Sequence, residues 1–231
     1  FIPAAHERLQ ALRRVNPDLL RFAQRKSPQT EATLEMDASI VETTKQDTLF
    51  SYQGSPSFQP LSVRWAELDL VAHSEFRDGN VPAGYQNLRV LQETLEVLPK
   101  GVQKVYFKSD TAAYQKELLI YCAEGQNERF RVIEFAVGVD VTAEFKKAVA
   151  AVEEKEWHPL EREIEGRKLA TGQEWAEVCF VPTWAAKSKK EPSYRFLAIR
   201  ELLGQKEFPG MEAQLPFPTL NWGEKGYKLF G

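Results

Sequence analysis

The chain has 231 residues, of which 43% are hydrophobic and 27% are charged, and its formal net charge is −3. This composition is typical of a globular protein, and the slight negative charge argues against a protein coated in positive charge for nucleic acid. No apolar run reaches the roughly 18 residues of a membrane span, and no leader peptide is recognisable, so the sequence predicts a cytoplasmic protein without a membrane partner.

The first helical and strand signals come early in the chain. The stretch "PAAHERLQALRRVNPDLLRFAQRKS" predicts two helices separated at Asn16-Pro17, because proline disfavours helix in the residue before it. Next, "ATLEMDAS" alternates, with Met36 on one side and Asp37 on the other, which is the period of a strand. The runs "TLFSYQG" and "FQPLSVRWAEL" predict two extended segments around a Gly-Ser-Pro-Ser turn, and "LDLVAHSEF" predicts a third, so the four are expected to form an antiparallel meander.

Helices and strands alternate in the next part of the chain. After the turn "RDGNVPAG", leucines at three- and four-residue spacing predict an amphipathic helix. The run "VQKVYFKSD" predicts a short strand that ends on Ser109-Asp110, and "AAYQKELLIYCAEG" predicts a helix after it. This order of elements predicts an α/β fold in which a mixed sheet is flanked by helices.

The pattern changes from about Arg129. A strand in "RFRVIEFAVGVDV" is followed by a helix for which Thr142 is the expected N-cap, and then by short strands and polar turns. Residues 129–222 therefore predict a β-rich insertion with one helix. The apolar end "YKLFG" predicts a return to the main sheet.

Positive charge is concentrated in two segments of this slightly acidic chain. Residues 1–26 carry six Lys or Arg against two acids, and residues 187–200 carry five against one. Such patches can neutralise phosphates locally, because charges act within a Debye length of about 10 Å, but they can equally be solvated faces. Trp184 precedes the second segment and Tyr194 lies within it; the two alternatives for these rings are stacking on a displaced base and packing in a core. The candidate DNA contacts in these segments are Arg13, Arg14, Lys187, Lys189 and Lys190.

Two aspartates are the best candidates for chemistry. Asp37 and Asp110 each lie at or near the end of a predicted strand, 73 residues apart. If those strands are neighbours, two carboxylates meet at one sheet edge, where they could hold Mg²⁺ for phosphoryl transfer. An aspartate at a strand end is also common turn or cap chemistry, particularly for Asp110, which directly precedes a helix.

Other kinds of site find little support in the sequence. Cys122 and Cys179 have no CxxC spacing and no nearby histidine, so both are interpreted as buried thiols. His6, His73 and His158 have no metal-binding spacing and are interpreted as surface or packing residues. The chain contains no GxSxG, P-loop or GxGxxG motif.

Several stretches resemble, in order and spacing, the DDE transposases of bacterial insertion sequences, in particular transposase DDE domain group 1. They read "TLEMDASIVET", "YQGSPSFQPLSV", "EFRDGN" and "KVYFKSDTAAYQKELLIYCAEG". The resemblance implies an RNase H-like core in which two Asp and one Glu hold Mg²⁺ or Mn²⁺, and it matches the two aspartates to Asp37 and Asp110. A turn of pattern Arg-any-Gly-Asn is matched by Arg77, Gly79 and Asn80, which adds Arg77 and Asn80 to the candidate DNA contacts.

The sequence departs from this family at the third acid. In relatives a Glu follows a Tyr and an Arg on a helix beyond a β-rich insertion, but no Tyr here has Arg three positions later. Glu201 is a weak internal substitute, so the third acid is expected beyond Gly231 and this chain alone is expected to be inactive. The predicted divisions are a basic helical lead-in (1–30), the first part of the core (31–128), the insertion (129–222) and a truncated return to the core (223–231).

The resemblance implies the catalytic part of a DNA transposase, which cuts and rejoins DNA at the ends of a mobile element. Its expected partners are terminal repeats, target DNA and a second copy of the chain in the DNA complex. One alternative is a non-catalytic DNA-binding remnant or a domesticated protein that keeps the fold. A weaker alternative is a metal-dependent nuclease that acts on other DNA.

Overall fold

The computed structural model describes residues 7–164, 166–182, 194–202, 220–222 and 225–230, with the backbone alone given for 7–14, 163–164, 202, 220–222 and 225–230. The chain divides into two compact units, Phe1–Val139 and Asp140–Gly231. None of the helices in these described ranges is long and apolar enough to cross a membrane.

One continuous helix, α1 (Glu7–Lys26), begins the first unit, with Pro17 inside it. The prediction of two helices broken at Asn16-Pro17 is therefore wrong. Tertiary contacts compensate for the missing amide hydrogen of the proline, because the Asn16 side chain donates a hydrogen bond to the Ala72 carbonyl (2.6 Å) and Leu20 is fully buried.

The first unit holds seven strands and two further helices in its described part. The helices are α2 (Asn87–Val97) and α3 (Lys116–Ala123). The strands are β1 (Glu31–Ala38), β2 (Val41–Glu42), β3 (Ser57–Phe58), β4 (Leu61–Trp65), β5 (Leu70–Glu75), β6 (Lys104–Ser109) and β7 (Glu134–Val137).

Five of these strands form a mixed sheet in the order β5-β4-β1-β6-β7. β5, β4 and β1 pair antiparallel, whereas β1, β6 and β7 run parallel to one another. The parallel pairs need crossover connections, which α2 supplies between β5 and β6 and α3 between β6 and β7. The predicted mixed α/β arrangement is confirmed.

The two faces of this sheet differ in polarity. Alternate residues of the central strands are buried in a core with leucines of the helices, while the intervening residues form a polar, partly exposed face. The buried sheet residues are Ala32, Leu34, Met36, Leu61, Val63, Trp65, Val105 and Phe107. The positions of β1 and β6 that alternate with these buried residues therefore lie on the polar face, towards solvent.

The second unit is built on an antiparallel sheet and one α-helix among its described residues. The helix is α4 (Ala143–Ala150), and as predicted the Thr142 hydroxyl caps it by accepting from the Phe145 amide (3.2 Å). The strands are β8 (His158–Ile164), β9 (Arg167–Val178), β10 (Phe196–Leu202), β11 (Leu220–Trp222) and β12 (Lys225–Phe230). Their order in the sheet is β11-β12-β10-β9-β8.

The ends of the predicted insertion differ from the structure. β7 lies within the range 129–222, yet it pairs with β6 in the first sheet, so that sheet continues past residue 129. At the other end, β12 pairs with β10 and β11 rather than returning to the first sheet as predicted for 223–231. Trp222 pairs with Lys225, and a separation this short favours local antiparallel pairing over a distant strand.

Candidate metal centre

The register of β1 and β6 brings Asp37 and Asp110 together. Glu31 pairs with Lys104 and Met36 with Ser109, a constant offset of 73 residues along the parallel ladder. One further step places Asp37 opposite Asp110, at the carboxyl ends of both strands. Neighbouring strands lie about 4.8 Å apart, so the two backbones are separated by roughly 5 Å at this point.

Both carboxylates belong to the polar face and both residues are exposed. The next acid on this face, Glu35, is neutralised by Arg64 (2.7 Å) and Lys108 (3.2 Å), and hydrogen bonds from these two side chains hold the pKa of Glu35 below its usual range. Asp37 and Asp110 form no ion pair with any described residue. The carboxyl end of the parallel pair therefore carries two acidic side chains that no cation of the described residues pairs with.

Backbone and side-chain hydrogen bonds hold this edge in place. The Ser109 hydroxyl donates to the Met36 carbonyl (2.9 Å), which ties β6 to β1 one residue before the acid pair. On the other side, the Gly138 amide donates to the Ser109 carbonyl (3.1 Å). A Cβ on Gly138 would lie 3.0 Å from the Thr111 amide nitrogen, so a larger residue would press against the segment that follows Asp110.

Asp110 also caps the turn that it begins. Its Oδ1 accepts from the Ala112 amide (3.0 Å), the cap chemistry that the sequence left open. Side chains also hold the turn in place, because Asn87 Nδ2 donates to the Ala112 carbonyl (3.2 Å) and Gln115 Nε2 donates to the Gly84 carbonyl. Capping uses one carboxylate oxygen and fixes the side chain, so the cap role and a metal-binding role are compatible.

The position of the pair in the sheet is typical of ligand sites in α/β proteins. After β1 the chain continues towards β4 on one side, whereas after β6 it continues through α3 to β7 on the other. Ligands commonly bind outside the carboxyl ends of strands at such a switch of direction. The acid pair lies at this point.

The donor set fits a magnesium ion only in part. Octahedral Mg²⁺ with bonds of 2.0–2.1 Å places its ligand oxygens roughly 3 to 4 Å apart, within reach of two carboxylates on adjacent strands, and it usually takes one or two carboxylates with water and phosphate. Within the described ranges, no group of three or more His, Cys, Asp or Glu residues forms a metal site. Glu201 lies on β10 in the second unit, where it pairs with Gln173.

The Arg-any-Gly-Asn turn has a structural role. Arg77 is only 4% exposed, and its guanidinium binds Glu75 (2.8 Å) and the Ala83 carbonyl (3.4 Å). Burial raises the pKa of Glu75, but hydrogen bonds from Arg89 and Arg77 outweigh it and lower that pKa overall. The predicted phosphate contact of Arg77 therefore does not fit its buried position, whereas Asn80 is exposed.

The remaining predicted DNA contacts are not positioned by the structure. Lys187, Lys189 and Lys190, together with Trp184, lie outside the described residues. Arg13 and Arg14 lie on α1, but only their backbone is described.

The predictions for the cysteines and histidines have different outcomes, and His6 lies outside the described residues. Cys122 is buried, and burial raises its pKa to about 12. Cys179 is exposed, contrary to prediction, because it follows β9 on the side opposite the buried Ala176 and Val178. His73 pairs with Glu93 (3.2 Å), a surface contact.

Sequence reasoning missed an aromatic loop at the end of the sheet where β1 ends. The stretch "TLFSYQG" has strand composition, but the structure forms turns there, with Gly54 at φ +79° and the Ser51 amide bonded to the Ser55 carbonyl (2.9 Å). Phe50 and Tyr52 are 63% and 80% exposed. The turn predicted at Gly-Ser-Pro-Ser is present, whereas the run before it is not a strand and leaves its aromatic side chains exposed.

No protein-family model matches the sequence, and no curated protein matches it. Among solved structures, the chain is similar to a piggyBac transposase, determined by cryo-electron microscopy in a synaptic complex with hairpin DNA. The TM-score is 0.39 at 9% identity, over 75% of this chain and 37% of that chain. The chain thus spans well under half of that protein, and a TM-score of this size does not establish a shared fold.

Proposed function

We propose that this chain is part of the catalytic domain of a DDE transposase and that Asp37 and Asp110 hold Mg²⁺ or Mn²⁺ for phosphoryl transfer on DNA. The observation that carries the proposal is the parallel register of β1 and β6, which, continued by one residue, aligns Asp37 with Asp110 at the carboxyl ends of the two strands. Exposed like charges at this spacing repel each other, so an arrangement without a protein cation favours a bound metal ion.

Two further features support the RNase H-like core that the sequence resemblance implies. In chain order within the five-stranded sheet, Asp37 lies on the first strand and Asp110 directly follows the fourth. The Arg-any-Gly-Asn turn lies between them in sequence and contacts the loop that precedes α2. Assignment to the bacterial insertion-sequence group rests on the sequence stretches alone.

The residues of this chain would act by position and charge. Asp37 and Asp110 would orient the metal towards a scissile phosphodiester, and the Ser109 hydroxyl keeps their strands in register. A bound Mg²⁺ would supply Lewis-acid stabilisation of the leaving oxygen and lower the pKa of an attacking water or 3′ hydroxyl. A third acid from outside the described residues would complete the proposed site, so Asp37 and Asp110 by themselves would bind metal weakly.

Metal binding by this chain provides a direct test. Paramagnetic Mn²⁺ broadens NMR signals close to its site, so we expect titration to broaden the amides of Ala38 and Thr111 first. Asp37→Asn or Asp110→Asn should abolish this selective broadening, whereas Asp18→Asn, an exposed acid on α1, should leave it unchanged. Broadening of the same amides that is unchanged in both aspartate variants would refute the site.

Catalysis is tested in the complete natural polypeptide. There, Asp37→Asn or Asp110→Asn should reduce strand cleavage of a duplex with the element's terminal repeat by at least 10²-fold, with DNA binding largely retained. Normal cleavage by either variant would refute the proposal. Equal cleavage of random duplex would instead favour the metal-dependent nuclease.

A further inference from the structure

The aromatic loop, residues 43–56, extends from the β2–β3 ribbon and presents apolar side chains to solvent. Backbone hydrogen bonds close it: the Thr43 amide donates to the Pro56 carbonyl (3.0 Å), and the Ser57 amide donates to the Leu49 carbonyl (3.1 Å). Phe50, Tyr52 and Leu49 nevertheless remain 63%, 80% and 46% exposed. A well-bonded loop that leaves its aromatic rings outside is suited to binding.

The Arg-any-Gly-Asn turn supports this loop from beneath. A Cβ on Gly79 would lie 2.4 Å from the Ser57 carbonyl oxygen and 2.8 Å from that of Leu49, so only glycine permits the observed approach. The Gln59 amide also donates to the Arg77 carbonyl (2.9 Å). The loop is therefore fixed to this turn, and the chain that continues from the turn reaches the segment after Asp110 at Gly84, whose carbonyl accepts from the Gln115 side chain.

The loop and the acid pair lie at one end of the sheet. The β1–β4 ladder continues past Asp37 through the bond from the Ser39 amide to the Pro60 carbonyl (3.1 Å) and then into the β2–β3 ribbon. From Asp37 to Thr43 the strand spans at most about 20 Å at 3.3 Å per residue. That distance corresponds to roughly six nucleotides at the 3.4 Å spacing of one DNA strand.

We propose that Phe50 and Tyr52 form a stacking platform for unpaired bases of a DNA strand whose phosphodiester is held at Asp37 and Asp110. The inference rests on the proposed function and extends it to the form of the substrate, a DNA end with unpaired bases. Base faces within a duplex are stacked on one another, so exposed rings on a loop tip can take only bases that have left the stack.

Charge on the loop shows that stacking, and not phosphate attraction, must supply the affinity. Residues 39–58 contain Lys45, whose ammonium lies 5.9 Å from the Phe58 ring centroid, but also Glu42 and Asp47. With one cation against two acids, the platform cannot release many counterions when it binds. The affinity that it adds should therefore be almost independent of salt.

Binding without catalysis tests the platform. The 231-residue chain in EDTA is titrated into a 20-nucleotide single strand that carries 2-aminopurine, with anisotropy as the affinity readout and 2-aminopurine quenching as the stacking readout. We expect Phe50→Ala and Tyr52→Ala each to weaken binding about 5- to 150-fold, by a similar factor at 50 and 200 mM NaCl. Tyr52→Phe should bind normally, and Val132→Ala, a similarly exposed site elsewhere in the first unit, serves as the matched control.

The outcomes separate this proposal from that of the metal site. Unchanged single-strand affinity in both alanine variants, or equal loss on fully paired duplex, would overturn the platform. Loss of self-association instead of DNA affinity would also overturn it and would identify a protein interface. Because the assay contains no metal and compares only substitutions in the loop, its result does not depend on metal binding, and the platform would stand even if the metal site failed.

Discussion

Because Asp37 and Asp110 repel each other, we expect neutralising one of them to raise the free energy of unfolding, whereas most substitutions lower it. At the roughly 5 Å that separates the two backbones, two unit charges would repel by about 0.8 kcal/mol in water and by about 3 kcal/mol at an effective dielectric constant of 20. Both residues are exposed, so the lower value applies. Asp37→Asn should therefore stabilise the metal-free first unit by up to about 0.8 kcal/mol at low salt, whereas most substitutions destabilise.

The double-mutant cycle isolates this repulsion. Asp110→Asn keeps the cap on the Ala112 amide, because asparagine caps as well as aspartate, so each single substitution removes only the charge. Once one acid is neutral, neutralising the other should add nothing, which gives a coupling of about 0.8 kcal/mol. In 1 M salt the Debye length is about 3 Å, and the coupling should fall below about 0.2 kcal/mol.

Urea unfolding in EDTA, at 20 mM and at 1 M NaCl, measures the coupling. The amide signals of β1 and β6 should be followed, so that the first unit is observed separately from the second. Free Mg²⁺ at ten times its dissociation constant should stabilise the wild-type chain by about 1.4 kcal/mol. The same Mg²⁺ concentration should stabilise neither variant. Additive effects of the two substitutions at both salt concentrations would mean that the carboxylates are not neighbours, and the reasoning from strand register would fail.

Three other residues or pairs give simpler predictions. Gly79→Ala should lower the free energy of unfolding by about 1–3 kcal/mol, because the new Cβ meets two backbone oxygens, and an unchanged melting temperature would contradict the close approach. Glu75→Gln should destabilise the protein at pH 7. Because the pKa of Glu75 is lower in the folded than in the unfolded state, its contribution is fully present above about pH 4.5 and is lost as pH falls through the lowered folded pKa. The melting temperatures of the two proteins should therefore converge in acid, and a constant difference would refute this. A thiol reagent should modify Cys179 and leave Cys122 unmodified in the native chain, which mass spectrometry after proteolysis would measure. Modification of Cys122 before Cys179 would contradict this prediction.

The elements that sequence predicted well are those with strong local patterns. The alternation around Met36 and the leucine spacing before Leu98 set β1 and α2 to within a few residues, and both have a buried face. Pro17 misled the prediction because contacts distant in sequence keep α1 continuous. At "TLFSYQG", β-forming residues outweighed the turn signal of Gly54, which the backbone follows.

The pairing of the two acids shows which information a single sequence lacks. A spacing of 73 residues between Asp37 and Asp110 has no meaning until β1 and β6 are neighbours in parallel, since one step of register would turn one carboxylate to the buried face. Pairing of distant strands depends on the whole core, including β4, which occupies the other side of β1. The site prediction could therefore come from a family resemblance but not from spacing alone.

The Arg-any-Gly-Asn turn links the two proposed halves of the site. Sequence resemblance suggested that Arg77 contacts DNA, but its guanidinium is buried on Glu75 and holds the Ala83 carbonyl. The next residue, Gly84, accepts a hydrogen bond from Gln115, beside the turn that Asp110 caps, while Gly79 packs against the aromatic loop. Arg77 thus fixes one stretch of chain that contacts both the residues after Asp110 and the aromatic loop. The geometry of a DNA strand held at the two aspartates and at the loop would therefore be set by this stretch and not by a direct contact from Arg77.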